Sequence, residues 1–430
     1  MPANQQYDVA IVGASLSGCA AAIFFGRHGL KVALIERDRE MSTYKKICTH
    51  LIQSSATPTL QRLGLAEPIE AAGGVRQVLE IWTSWGWIAD AKEPTDRPAY
   101  GYNLRREKLD PMVRAMAANT PGVDFVPGHS VKALVMQDGI AVGVETTSQA
   151  DASRKILARL VVAADGRNST LAQLTGAKTK VTPNARFTYS AYYKDLPMPK
   201  SSTSQIYFLD PDWASVLRTD DGLVMLGAMP TADKLASWKG NIEDEFLKYF
   251  DAIPSAPSPR KGTRMTPFLG MLKMPMMSRP PVHSGIAFIG DAAMTADPLW
   301  GVGCGFAFQT AEWLYDCVSP ALDGREKLAR GLSLYSRQHK KRLGGHEFVM
   351  KDYCSGRRYN HIETLMNSAG ARDPDCASHI VAFGSRNTSL MQFMAPKAIA
   401  RAVWVNTKHA LGFGDARRLD ARPIPGKDAA

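Results

Sequence analysis

The stretch from Tyr7 to Glu36 constrains this chain more than any other. YDVAIV at 7–12 is a short apolar run of strand length, GASLSG follows at 13–18, and an alanine-rich run of helical character comes next. After Gly29 and Leu30 the chain reads KVALIE, a second buried strand that ends on Glu36, 23 positions beyond Gly13. Strand, glycine turn, helix, strand and acid in that order form a βαβ dinucleotide-binding fingerprint. Gly13 permits the tight turn and Gly18 lets helix and strand pack closely. The free N–H groups at the helix start, at Leu16, Ser17 and Gly18, bind a pyrophosphate. Glu36 accepts hydrogen bonds from ribose hydroxyls. Ser15 stands where a middle glycine is usual, and its small side chain still fits and can donate.

Two distant segments narrow the cofactor. Residues 158–170 read ARLVVAADGRNST, an apolar strand leading into Asp165, Gly166 and a Ser/Thr pair. Residues 285–303 read GIAFIGDAAMTADPLWGVG, a strand that runs into Gly290 and Asp291, then Asp297, Pro298, Gly301 and Gly303. A fourth stretch, NLRREKLD at 103–110, places Arg106 three residues before Leu109. With these motifs in this order, the chain resembles the single-component flavin-dependent monooxygenases of the para-hydroxybenzoate-hydroxylase-like superfamily, to which the flavin halogenases are related. The resemblance covers roughly residues 5 to 325.

The resemblance implies FAD as the cofactor, with NADPH or NADH as a transient reductant. It puts Arg106 on the ribityl or pyrophosphate side and assigns Arg37, Lys46 and Val131 to the cofactor side as well. It gives Asp165 and Gly166 to the FAD-side fold and to the approach of the nicotinamide. Asp291, at a strand end, can accept from the ribityl chain. Pro298 cannot continue a helix, so an open loop precedes a helix near Val302. The positive end of that helix, at Gly301, Val302 and Gly303, then faces the flavin and stabilises the negative charge of the reduced ring. Where relatives often have Asn, this chain has Gly305. Cys304 beside the ring is a covalent attachment point for the flavin, a redox thiol, or a small packing residue.

The expected fold class is α/β: a Rossmann-like FAD-binding domain built on a parallel sheet, an antiparallel β-sheet substrate domain, and a helical C-terminal region. The FAD domain is discontinuous, over residues 1–75, 100–180 and 265–325. The substrate domain takes 76–99 and 181–264, and the helical region 326–430. VLEIWTSWGWIADAK at 78–92 has the alternation of a hairpin. Asp220, Asp221 and Gly222 mark a turn between two strands. Aromatics on the inner face of that sheet line an apolar pocket or merely fill a sheet core. Tyr192, Tyr207, Trp213 and Trp300 are the substrate-contacting candidates. The loop MSTYKKICTHL at 41–51 brings Lys45, Lys46 and His50 near substrate or nicotinamide phosphates, or is simply a solvated basic loop.

The activity implied is oxygenation of an aromatic or other apolar organic molecule. NAD(P)H reduces FAD, O2 adds at the flavin C4a, and the hydroperoxide transfers one oxygen. FAD carries the hard chemistry, so no catalytic side chain is named. Only one βαβ fingerprint is present, so the nicotinamide visits transiently or a separate flavin reductase supplies electrons. A flavin-dependent halogenase is the first alternative; it requires a lysine and a tunnel, and WGWIAD at 85–90 is superficially similar to the halogenase tryptophan motif. An FAD-dependent reductase or dehydrogenase without oxygen insertion is the second, and a non-catalytic flavoprotein module the third.

Composition bounds the rest. With 430 residues, 45% apolar and 22% charged, the chain is a globular protein of two or three domains. Lys and Arg number 52 against 41 Asp and Glu, and from Arg325 onward there are 19 basic and 9 acidic residues. The surplus charge therefore lies far from the motifs, as a solvated face or an anion-attracting patch. No nucleic-acid module accompanies it. Six scattered cysteines suggest neither a zinc site nor a disulfide framework, so no metal and a reducing cytoplasm are expected. The apolar stretch 9–25 is interrupted by Gly13, Ser15, Ser17 and Gly18, which argues against a signal peptide or an integral membrane segment. The oligomeric state is left open.

Overall fold

The architecture described here is that of a computed structural model, which covers residues 5–89, 92, 98–149, 153–198 and 203–413. The end of the WGWIAD stretch at Asp90 and the basic tail from 414 onward lie outside the described residues. In chain order the elements that position the site are β1 (Gln5–Val12), α1 (Leu16–Arg27), β2 (Val32–Glu36), β3 (Leu79–Thr83) and β4 (Gly86–Ile88). Next come α2 (Arg106–Ala118), β5 (Val123–Pro127), the pair β6 (Ser130–Gln137) and β7 (Ile140–Thr147), and β8 (Arg154–Ala163). Then follow β9 (Thr188–Lys194), β10 (Ser204–Phe208), β11 (Trp213–Arg218), β12 (Val224–Met229), α3 (Ile242–Asp251) and β13 (Ile286–Phe288). Helices close the chain: α4 (Gly303–Leu322), α5 (Leu328–Tyr353), α6 (His361–Gly370), α7 (Pro374–Gly384) and α8 (Pro396–Ala410).

The first sheet is parallel through its centre, in the order β13, β8, β1, β2, β5. The β6–β7 hairpin pairs antiparallel with the N-terminal half of β8. Both faces of the sheet are covered, which is why YDVAIV and VALI read as continuous apolar runs rather than alternating ones. Val9, Ile11, Val32 and Leu34 face a core shared with α1, α2 and α4. Ala10, Val12, Ala33 and Ile35 face the other, with Val131, Leu171 and Phe288.

The second sheet runs β9, β12, β11, β10, β3, β4. Its pairings are antiparallel except one: β3 lies parallel to β10, with Leu79 opposite Ser204 and Trp82 opposite Tyr207. Asp220–Gly222 forms the turn between β11 and β12. Strand alternation splits the side chains into two layers. Tyr189, Tyr193, Tyr207, Val216 and Leu226 point outward into a core closed by Trp238 and by Phe246 and Phe250 of α3. Each of these two fully buried phenylalanines contributes about 1.5–3 kcal/mol of burial. Tyr192, Ile206, Trp213, Leu217, Met225 and Met229 point inward against Leu51 and Leu299.

Beyond residue 325 the described chain is helical. Tyr335 of α5 donates to the Phe288 carbonyl at 2.7 Å, holding the region to the first sheet. Ala377 and Ile380 of α7 pack on Ile81 and Ile88 of the β3–β4 hairpin, holding it to the second. Among the described residues no helix is long and apolar enough to cross a membrane.

Candidate active site

The glycine turn after β1 is built by exclusion. Gly13 has φ +103°, and a Cβ there would lie 2.4 Å from the Ala164 carbonyl oxygen; one on Gly18 would lie 1.8 Å from the Gly13 carbonyl oxygen. Only glycine allows β1, β8 and α1 to meet this closely. Ser15 occupies the N-cap of α1 in extended conformation and makes no side-chain capping bond, so the first N–H groups of the helix are left for a ligand. Glu36 Oε2 accepts from the Ala14 N–H at 2.7 Å, and Oε1 from the Asp38 N–H at 3.1 Å.

Two buried guanidinium groups from α2 stand beside this turn. Arg106 donates through Nη2 to Ser15 Oγ at 3.0 Å and pairs with Asp110 through Nε and Nη2 at 2.5 and 2.9 Å. Arg114 donates to the Ala14 carbonyl at 3.0 Å and to the carbonyls of Met41 and Thr43 at 2.5 and 2.8 Å. Four-residue spacing puts Arg106, Asp110 and Arg114 on one helical face. Arg114 thereby ties the glycine turn to the 41–50 loop.

That loop leads to the centre of the site. The Lys45 N–H donates to Asp110 Oδ2, and Lys45 Nζ to Asp291 Oδ2, both at 3.0 Å. Burial would raise the Asp291 carboxyl, but Lys45, Arg167 and Arg106 outweigh it and hold the group below the usual carboxylate range. Cys48 Sγ lies 3.7 Å from Cys304 Sγ, with Arg106 Nη1 3.9 Å from each. His50 Nδ1 accepts from the Arg106 N–H at 3.0 Å, so in the neutral ring Nε2 carries the proton and donates to the Tyr192 hydroxyl. Burial lowers the His50 pKa and raises that of Tyr192, so both are uncharged at neutral pH.

Opposite this loop, Asp297 Oδ1 accepts from the Leu299 N–H at 3.1 Å and Oδ2 from Asn184 at 2.8 Å, shaping the Pro298–Trp300 turn. α4 then starts at Gly303 without a side-chain cap, and the Cβ position of Gly303 faces open space. A cavity beside this start is lined by Leu51, Ile206, Trp213, Met229, Leu299 and Gly301. Trp300 lies 5.7 Å from Trp213, ring centre to ring centre, and its carbonyl accepts from Gln53 at 3.1 Å.

These contacts bring most of the sequence candidates to one place. Ser17 Oγ is 2.7 Å from the Cβ position of Gly290, which joins the start of α1 to the Gly290–Asp291 turn. Arg106, Asp110 and Lys45 link Ser15 to Asp291, and Leu51 adjoins Gly301 at the start of α4. Gly13, Leu16, Gly18 and Glu36 lie at the β1–α1 turn and the end of β2, and Pro298, Val302 and Gly303 at the approach to α4. Trp213 lines the cavity, and Tyr192 and Trp300 pack in the same inner layer of the second sheet.

Tyr207 does not, contrary to its expected place on the inner face. One residue out of phase with Ile206 and Phe208, it points outward, and its hydroxyl donates to Gln205 Oε1 and the Ser255 carbonyl. Val131 is buried among Ile35 and Val126, so its side chain is core. Arg37 and Lys46 are exposed at the rim. Asp165 Oδ2 accepts from the Leu171 N–H at 3.1 Å, and burial raises its pKa.

Three side chains escaped the motif reading: Arg114, Cys48 and Arg386. Arg386, from the C-terminal region, donates to Gln53 and Gln309 at 2.7 Å each, and its Nη2 lies 2.4 Å from the Cβ position of Gly305. The unusual glycine at 305 is therefore where this guanidinium sits. That departure was the available signal.

The donor set fits FAD. Uncapped N–H groups at α1 beside two arginines suit a pyrophosphate, Glu36 at the end of β2 suits a ribose, and the uncapped start of α4 over open space suits an electron-accepting ring edge. Fold and site together define an oxidoreductase of the FAD-dependent class. The chain belongs to the FAD binding domain family, whose match spans residues 6–343.

It is 23% identical over 389 residues to digeranylgeranylglycerophospholipid reductase 2 of Methanothermobacter thermautotrophicus, covering 87% of this chain and 94% of that one. A flavoprotein/dehydrogenase from Cytophaga hutchinsonii superposes with a TM-score of 0.77 at 15% identity, over 94% of this chain and 100% of that one. p-Nitrophenol 4-monooxygenase PnpA from Pseudomonas putida DLL-E4 superposes with a TM-score of 0.73 at 19% identity, over 89% and 99%. These structural likenesses establish a shared fold.

Proposed function

We propose that the protein is an FAD-dependent oxygenase that inserts one oxygen atom of O2 into an aromatic or unsaturated apolar molecule. The second oxygen atom leaves as water, and NADPH, NADH or a flavin reductase provides the two electrons. The observation that carries this reading is the apolar cavity between Leu51, Trp213 and Leu299, set directly against the uncapped start of α4. Such a wall excludes water from the reacting centre. PnpA, which shares the fold, is named as a monooxygenase.

When bound, FAD supplies the electron transfer and oxygen activation. The N–H groups of Leu16, Ser17 and Gly18 hold its pyrophosphate, with Arg106 and Arg114 supplying positive charge. Glu36 holds the ribose, and Asp291, oriented by Lys45, the ribityl chain. The N–H groups at Gly303, Cys304 and Gly305 stabilise negative charge on the ring. Tyr192 receives a hydrogen bond from His50, which leaves its own proton free to donate to a polar atom of the substrate.

A second reading has its own support: the similarity to a digeranylgeranylglycerophospholipid reductase runs over 87% of the chain. On that reading an isoprenoid chain lies against the same apolar wall and a C=C bond is saturated without O2. For halogenation, no lysine lines the cavity among the described residues, and the Trp85–Trp87 hairpin lies at the sheet edge under α7. The deciding experiment supplies reduced nicotinamide and 18O2 to a panel of phenols and polyprenyl compounds. A labelled product supports oxygenation. A product heavier by two hydrogens, formed equally well without O2, refutes it in favour of reduction.

A further inference from the structure

Of the six cysteines, only Cys48 and Cys304 have their sulfurs within contact distance of each other among the described residues, at 3.7 Å. They come from opposite walls of the site, Cys48 from the irregular 41–50 loop and Cys304 from the first turn of α4. Their surroundings are unequal. Cys48 is partly exposed and receives the His50 N–H at 3.2 Å, while Cys304 is 4% exposed. The Arg106 guanidinium touches both sulfurs. The thiol hydrogen of Cys304, together with the positive charges of Arg106 and Lys45, favours the thiolate at Cys48 against the effect of burial; Cys304 itself is pushed up. An accessible thiolate beside a cation, with a protonated thiol in contact, is the arrangement of a peroxide-reactive pair with its own resolving group.

We propose that Cys48 and Cys304 form a second two-electron redox centre, in which Cys48 reduces a hydroperoxide and Cys304 resolves the product to a disulfide. The Cys48 thiolate attacks the peroxide O–O bond, forming a sulfenic acid and releasing hydroxide, or an alkoxide from an organic hydroperoxide, which takes up a proton. The Cys304 sulfur then displaces water from that sulfenic acid. Two thiols and one hydrogen peroxide give one disulfide and two waters. Closing the bond brings the sulfurs together by about 1.7 Å, to a bonded distance of about 2.0 Å. The loop carrying Cys48 has no ladder or helix to resist that shift, whereas Cys304 is anchored in α4. The remaining cysteines form an internal control, because burial raises the pKa of Cys19, Cys317, Cys354 and Cys376, the last to about 11.

The test uses the purified full-length protein with its FAD. It is treated with equimolar hydrogen peroxide, denatured, alkylated and mapped by mass spectrometry. The proposal expects two of the six thiols to be lost, a linked Cys48–Cys304 peptide reversed by dithiothreitol, and oxidation at Cys48 at least tenfold faster than at Cys19, Cys317, Cys354 or Cys376. Cys304→Ser is expected to stop at a sulfenic acid on Cys48 that dimedone traps, and Cys48→Ser to leave Cys304 reduced. Six alkylatable thiols after treatment, or a link through any other pair, overturns the proposal. The wild-type map decides the matter even if a serine variant folds poorly, and it is independent of which substrate the enzyme oxygenates.

Discussion

Gly13→Ala tests the geometry on which the cofactor site rests. The new Cβ would sit 2.4 Å from the Ala164 carbonyl oxygen and 2.7 Å from its carbon. Ordinary contact needs close to another ångström, yet the Ala164 N–H is held by the Val12 carbonyl at 2.8 Å where β1 and β8 end side by side. The obstacle is backbone, so no rotamer relieves it. Overpacking of this kind costs about 1–3 kcal/mol, and the φ of +103° adds about 1–2 kcal/mol for an L residue. Gly29→Ala is the matched control: its φ is +86°, and nothing lies within 4 Å of its Cβ position. It carries the conformational cost without the clash. Urea unfolding is expected to show a loss of about 2–5 kcal/mol for Gly13→Ala and about 1–2 kcal/mol for Gly29→Ala. Flavin absorbance should fall at least tenfold in occupancy for Gly13→Ala alone. Equal stability losses in the two variants, or full FAD occupancy in Gly13→Ala, would refute the close-approach argument.

Asp291→Ala removes the partner of Lys45 and the proposed ribityl acceptor. FAD affinity measured by fluorescence is expected to weaken at least tenfold, while Lys46→Ala, at the exposed rim, leaves it within twofold. Tyr192→Phe deletes the hydroxyl that His50 holds; kcat/KM on a hydroxylated substrate should drop about tenfold, with FAD affinity unchanged. Acid should loosen the C-terminal region first. Burial lowers His339 and His346 to about 4 from 6.5, so between those values the unfolded chain binds protons that the folded one refuses. Stability is therefore complete above pH 6.5 and falls towards pH 4, by about 3 kcal/mol for each histidine. Urea midpoints at pH 7 and pH 5 should differ less in a His339→Phe, His346→Phe double variant.

The nucleotide end was readable because its determinants are local. Gly13, Gly18 and Glu36 act through a turn and two strand ends that neighbouring residues define, and Asp291 follows its own strand. The rest of the site is assembled from a distance. Arg114 is an ordinary helical arginine until α2 lies against Ala14, and Cys48 has no meaning until α4 brings up Cys304. Arg386 fills the space left by a missing side chain at Gly305, so its role is visible only once both are placed. Tyr207 and Tyr192 are both strand tyrosines of apolar surroundings. Which one faces the cavity depends on register, and a single residue of phase reverses the answer.

The parallel pairing of β3 with β10 has a consequence for synthesis. The edge of the second sheet is made early, as Leu79–Ile88, but its neighbour Ser204–Phe208 emerges only after roughly 120 further residues, or about 6–24 s of translation at ~5–20 residues per second. Throughout that delay Trp82, Trp85 and Trp87 have no sheet to join, and the nascent chain exposes a sticky, unpaired ribbon. Overproduction should therefore reward slow growth and chaperone supply, and a permuted chain that begins near residue 98 and carries 79–88 after 208 should escape the wait.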